Sequence, residues 1–240
     1  MKKINLFCFP YAGGSSVIYS KWKPYIEEFV NLMPVELSGR GRRISERSYS
    51  SMNEAVDDVY NIVSPLLDDS PYALLGHSMG CILTFELYNR IRQCKKQEPL
   101  HLFLSGRYPP SVHRDEANVH SLPDDEFKEK ILSYGGTPSE IFDDKEISKV
   151  FVPIIRADYK IIEEYKYTDK GEKINCDMSV FCGSRDIIST KEESLLWRDF
   201  ANKSFKFYEF DGGHFFIHDY TREIADIINR ILNAHFRDLK

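Results

Sequence analysis

The segment Gly76-His77-Ser78-Met79-Gly80 places a serine between two glycines, directly after the strand-like run Tyr72-Leu75 and before a helical pattern that opens at Cys81. A serine at a sharp strand-to-helix turn has its hydroxyl lifted above the sheet, with the following helix N-terminus facing any negative charge that develops there. The hydroxyl is a weak nucleophile until a base takes its proton, so a histidine and an orienting carboxylate are required elsewhere in the chain. His214 in Asp211-Gly212-Gly213-His214 and Asp186 in Gly183-Ser184-Arg185-Asp186 follow later strand-like runs and supply both. Asp211 is the competing acid, although its closeness in sequence to His214 disfavours a reach to the far ring nitrogen. The chemistry these three types support is acyl transfer through a covalent acyl-serine.

The tetrahedral intermediate of that chemistry needs two backbone donors. Met79, the residue after the nucleophile, gives one, and the glycine-bearing loop Pro10-Tyr11-Ala12-Gly13-Gly14-Ser15 gives the other through the Ala12 amide. The order Ser, Asp, His along the chain is that of the α/β-hydrolase arrangement. His214 and His218 have the spacing of a helical metal pair, but neither a neighbouring cysteine nor a metal motif accompanies them, so no metal and no cofactor are expected.

The elements that must position these residues follow from periodicity. Short apolar runs at Ile4-Phe9, Leu32-Leu37, Tyr72-Leu75, Leu100-Ser105, Met178-Cys182 and Lys206-Phe210 alternate with amphipathic helical patterns. This predicts an α/β fold: a mostly parallel central sheet with helices on both faces. Between Val112 and Lys170 no strand pattern occurs, and the apolar residues Ile147, Val150, Phe151, Ile154, Ile155, Tyr159 and Ile162 mark a helix that Pro153 should kink or break. The expected organisation is a core of residues 1–111 and 171–240 with residues 112–170 inserted as a helical lid.

Composition narrows the function classes. The 240 residues carry 32 Lys+Arg against 37 Asp+Glu, a net charge of −5, which gives no general attraction to nucleic acid or an anionic membrane. No signal-peptide pattern or membrane-length apolar run is present, and five cysteines without CxxC spacing read as free thiols in a reducing, cytoplasmic setting. Against this acidic background Arg40, Arg42, Arg43 and Arg47 form a local basic cluster after the second strand.

Taken together, Phe9-Pro10-Tyr11-Ala12-Gly13-Gly14-Ser15, Gly39-Arg40-Gly41-Arg42, the Ser78 turn, Gly183-Ser184-Arg185-Asp186 and Asp211-Gly212-Gly213-His214-Phe215 resemble the type II thioesterases. These are the external editing enzymes of nonribosomal peptide and polyketide synthases. The resemblance runs from Ile4 to about Leu232, takes in Leu122-Pro123-Asp124 and Arg156-Ala157-Asp158-Tyr159, and departs at Ser38, where the family usually has proline. It implies Ser78 as nucleophile, Asp186 and His214 as its partners, and an acyl group on the phosphopantetheine arm of a carrier protein as substrate. If the partner is an acidic carrier, the arginine cluster is a docking surface for it, and the protein acts as a monomer. The residues alone also fit a carboxylesterase, a lipase-like hydrolase or an acyltransferase on free esters. A non-catalytic binding module on the same fold would have no need of all three residues.

Overall fold

The computed structural model describes residues 2–114 and 118–238. Six parallel strands, β1 (Ile4–Phe9), β2 (Val30–Pro34), β3 (Tyr72–His77), β4 (His101–Ser105), β5 (Asp177–Gly183) and β6 (Phe205–Phe210), form one sheet in the order β2-β1-β3-β4-β5-β6. The helices are α1 (Met52–Val63), α2 (Met79–Gln93), α3 (Asp124–Ser133), α4 (Glu140–Asp143), α5 (Lys145–Glu163), α6 (Lys191–Leu195), α7 (Phe216–Asp219) and α8 (Thr221–Asp238). This is the architecture the alternating periodicity predicts, an α/β-hydrolase fold.

Alternation along the strands divides the core in two. Phe7 and Phe9 of β1 with Tyr72 and Leu74 of β3 face α1 and α2, whereas Ile4, Leu6, Ala73 and Leu75 face the opposite layer, where α8 contributes Ile224, Ile228 and Leu232. Because both faces are covered, the central strands β1, β3 and β4 are buried along their whole length and mostly apolar, whereas the edge strands β2 and β6 carry exposed polar residues such as Asn31 and Lys206. The chain runs outward from β1 to β2 and then crosses to β3 on the other side of β1. The loops after β1 and β3 therefore flank a crevice at the carboxyl ends of the strands, the place where such sheets bind ligands.

Two expectations need correction. The second strand is Val30–Pro34, two residues earlier at its start and three at its end than the apolar run Leu32-Leu37. The Val35 N–H still donates to the Cys8 carbonyl at 3.0 Å, but Pro10, next in line on the β1 side to donate back, has no N–H, so the ladder ends there, with Val35 and Leu37 buried. Pro153 does not break α5, which runs from Lys145 to Glu163. Its apolar stripe is divided by burial instead: Ile154, Ile155 and Ile161 are covered, while Ile147, Val150 and Phe151 are exposed. Among the described residues, 112–170 contain helices and no strand. Val119, Phe127, Ile131 and Ile155 make a small apolar cluster of their own there, and Ile161 joins the main core.

Candidate active site

Ser78 sits at the turn from β3 into α2 with φ 55° and ψ −114°, a conformation that costs a non-glycine residue of order 1–3 kcal/mol. The flanking glycines are there for want of space. A Cβ on Gly76 would lie 2.0 Å from the Gly80 carbonyl oxygen, and one on Gly80 would lie 2.2 Å from that of Phe9. The turn is thus pressed against β1, and the serine hydroxyl is left at the crevice.

Residues far apart in sequence meet at this hydroxyl. His214 Nε2 lies 2.9 Å from Ser78 Oγ, and His214 Nδ1 lies 2.9 Å from Asp186 Oδ2. The other oxygen, Asp186 Oδ1, accepts the N–H groups of Ile188 at 2.8 Å and Ser189 at 3.1 Å, which fixes the carboxylate's orientation. Asp186 and His214 are buried and Ser78 is partly exposed, so the acid and base are shielded while the hydroxyl is accessible. A hydroxyl, an imidazole and a carboxylate linked in this order can pass the serine proton to the ring and stabilise the imidazolium that results. Asp211 points elsewhere: its carboxylate pairs with Arg185 and accepts from Ser184 Oγ at 3.3 Å, and its side chain is 75% exposed.

The imidazole is held by an aromatic setting that the sequence did not disclose. The Phe215 ring stands edge-on to His214 at 5.1 Å, and the His77 ring lies behind it at 5.2 Å. His77 is fully buried, with Nδ1 2.9 Å from Ser105 Oγ. Burial, reinforced by His214 and His218, holds His77 well below the usual histidine range, so it is a neutral support for the base and no rival to it.

Beside Ser78 opens a cavity of about 470 Å³, walled by Ala12, Ile82, Arg107, Tyr134, Tyr159 and Ile188 among others. The guanidinium of Arg107 lies over the Tyr108 ring at 4.1 Å, and its Nε is buried without a hydrogen-bond partner among the described residues. Several wall residues come from 112–170, so that insertion and the core enclose the cavity together. Ala12 is on the wall and Met79 is the first residue of α2, which brings both segments named as backbone donors next to Ser78.

The arginine cluster requires a correction. Arg40 is 2% exposed and makes a two-pronged ion pair with the equally buried Asp158 of α5, Nη1 to Oδ2 at 2.5 Å and Nη2 to Oδ1 at 2.7 Å. It therefore cannot meet a partner's surface. Asp158 Oδ2 also accepts the Gly13 N–H at 2.7 Å, which ties the loop after β1 to the inserted helix. Arg43 is committed to Asp58 at 2.7 Å and to Glu46. Arg47 pairs with Glu54 but stays 75% exposed, and Arg42 is exposed. Of the four, Arg42 and Arg47 are the two available at the surface. The Arg40–Asp158 pair itself was invisible from sequence, although both residues lie in segments that carried the family resemblance.

The family model described as "Thioesterase domain" matches residues 4–232. Gramicidin S biosynthesis protein GrsT from Aneurinibacillus migulanus is 32% identical over 226 residues, covering 94% of this chain and 88% of that protein. The medium-chain S-acyl fatty acid synthase thioesterase of Homo sapiens is 34% identical over 226 residues, covering 91% and 83% respectively. Among solved structures, ClbQ from the colibactin NRPS/PKS pathway superposes with a TM-score of 0.92 at 34% identity, covering 97% of this chain and 98% of its own.

Proposed function

The chain belongs to the thioesterase family and is a thioester hydrolase, and from that premise we propose that it removes acyl groups from the phosphopantetheine arms of carrier proteins in nonribosomal peptide or polyketide synthesis. The relatives favour this substrate: GrsT is named for gramicidin S biosynthesis and ClbQ for a colibactin NRPS/PKS pathway. The observation that carries the mechanism is the hydrogen-bonded chain Ser78–His214–Asp186 beside the cavity. Ser78 Oγ attacks the thioester carbonyl as His214 Nε2 takes its proton, while Asp186 stabilises the imidazolium. The N–H groups of Met79 and Ala12 receive the oxyanion. Collapse of the intermediate breaks the carbon–sulfur bond, and the His214 imidazolium gives its proton to the departing thiolate sulfur, which leaves as a thiol. Water, deprotonated by the same ring, then frees the acid from acyl-Ser78.

In this reading residues 112–170 are a lid. They wall the cavity with core residues, and an apolar acyl chain gains by leaving water for that surface. Arg42 and Arg47 form the docking edge for an acidic carrier, where opposite charge chiefly raises the association rate. Action as a monomer in the cytoplasm belongs to the same proposal. Among the described residues no helix is long and apolar enough to cross a membrane.

The test compares hydrolysis of one acyl group presented on a carrier protein, on coenzyme A and as a simple ester, by the native chain and by Ser78→Ala. The expected order is carrier first and ester last, with turnover by the variant falling several orders of magnitude while its fold persists. A preference for the ester would replace the carrier substrate with an esterase role. Undiminished turnover by Ser78→Ala would remove the nucleophile assignment.

A further inference from the structure

At the opposite end of the strands from Ser78, three ligand-type side chains from three elements converge. His101 is the first residue of β4, Asp177 is its register partner at the start of β5, and His235 lies in the last turn of α8. His235 Nε2 is 3.5 Å from His101 Nδ1 and 3.6 Å from Asp177 Oδ2, and the three atoms all lie within 4.8 Å of one another. These separations are too long for good hydrogen bonds, which peak at roughly 2.9–3.0 Å for nitrogen donors. They do match the spacing of ligands around one ion. Two donors each about 2.0–2.1 Å from a zinc ion and about 3.5 Å apart subtend roughly 115–125°, a slightly opened tetrahedral angle.

The surroundings prepare each ligand. His101 is 1% exposed, its ring stacked on Phe103 at 4.4 Å, and its Nε2 lies 2.9 Å from Ser179 Oγ. When that nitrogen donates to the serine, the Nδ1 lone pair is left facing His235, the outer hydrogen bond that metal-binding histidines generally have. Asp177 Oδ1 accepts the Ser204 N–H at 3.2 Å, which leaves Oδ2 as the free donor, and a small turn of this half-exposed carboxylate closes the third side. The side chains of Asp177 and His235 are 31% and 21% exposed, so an ion can enter from solvent and keep water in its fourth position.

We propose that His101, Asp177 and His235 form a site for a divalent zinc-like cation that pins the end of α8 to the sheet. Two imidazole nitrogens and one carboxylate oxygen suit zinc better than the all-oxygen preference of magnesium or calcium. The last apolar residue of α8 that is fully buried is Leu232, so the ion would clamp the helix beyond it, beside Phe236, whose ring packs on Phe29 at 5.0 Å. Its role would be structural, since the length of a strand separates it from Ser78, roughly 16 Å for the five residues of β4.

The full chain, stripped with a chelator and dialysed, is titrated with zinc against a chromogenic competitor, alongside His235→Ala and Asp177→Asn. Both substitutions lie at partly exposed positions and preserve the core. Native protein should take up one zinc with micromolar or tighter affinity, each variant should bind at least about tenfold more weakly, and zinc should raise the thermal midpoint of the native chain alone. Hydrolysis by zinc-free His235→Ala should equal that of the zinc-free native chain. Absence of zinc uptake, or affinity retained in either variant, overturns the site, the latter because the ion would then be held elsewhere.

Discussion

Removing the Asp158 carboxylate tests how the inserted helix is joined to the core. In Asp158→Ala the Arg40 guanidinium, 2% exposed, loses its only hydrogen-bonded carboxylate among the described residues and keeps the Gly14 carbonyl at 3.1 Å, a weak contact to Ser38 and the more distant charge of Glu36. Burial by itself would lower the Arg40 pKa, but Asp158, with smaller help from Tyr49 and Glu36, outweighs it and the pKa is raised; an arginine in any case does not lose its proton, so the penalty cannot be escaped that way. Breaking one side of a buried pair costs about 3–5 kcal/mol. The Gly13 N–H, which now donates to Asp158 Oδ2 at 2.7 Å, adds about 1–3 kcal/mol if no water replaces the acceptor. For a chain of this size the pair alone corresponds to a fall in Tm of roughly 6–20 °C. Urea unfolding and thermal melts of Asp158→Ala, Arg40→Met and the double variant Arg40→Met/Asp158→Leu measure the terms. The double variant should recover most of the loss, because no charge is then left buried. Activity should fall in Asp158→Ala at conditions where it is still folded, since Gly13 adjoins Ala12 in the loop beside Ser78. A loss below about 1 kcal/mol, or a double variant no better than Asp158→Ala, would refute the reasoning.

Three further predictions concern the site. Asp186→Asn should lower kcat by up to about 10⁴ through the wrong imidazole tautomer and the missing charge, while Asp211→Asn, at an exposed pair, should cost less than about fivefold; steady-state kinetics giving the reverse order would reassign the acid. Because His77 is held well below 6.5 in the fold, the unfolded chain binds a proton in that interval that the native state does not, so stability is complete above about pH 6.5 and is lost as pH falls. His101, pushed down to about 3 by burial, adds to the same slope. Urea unfolding at pH 7 and pH 5 should show a smaller acid loss for His77→Asn than for the native chain, and equal slopes would contradict this. Charge reversal at Arg42 and Arg47 should reduce kcat/KM for a carrier-borne acyl group, by an amount that shrinks with salt, and leave a small free thioester unaffected; equal losses on both substrates would place the damage in the catalytic loops.

Local patterns were legible in the sequence because their causes are local. The turn around Ser78 needs glycines on both sides since a Cβ at either would strike backbone within a few residues of the turn or on the adjacent strand. Strand and helix periodicity reports which face is buried whatever the partner, so the order of elements and the helical character of 112–170 could be read directly. Edges were less secure: the apolar run continues to Leu37, but the ladder from β2 ends after the Val35 N–H because Pro10 on the β1 side has none to return.

Only the tertiary structure decided which charged residue meets which. Spacing along the chain favours Asp186 over Asp211 as the acid, but only the chain's path shows Asp186 within 2.9 Å of His214 while Asp211 turns out to Arg185. Arg40 and Arg42 sit two residues apart in one basic run, yet one is sealed in the interior and the other lies at the surface. The reason is a carboxylate 118 residues away, since a charge can be buried only where a partner compensates the lost hydration. The meeting of His101, Asp177 and His235 has the same origin, because parallel register aligns the first two and the packing of α8 delivers the third. Sequence thus determined the fold class, the family and the candidate nucleophile, whose signals are steric and periodic, whereas the pairing of charges waited on long-range packing that no short window of residues contains.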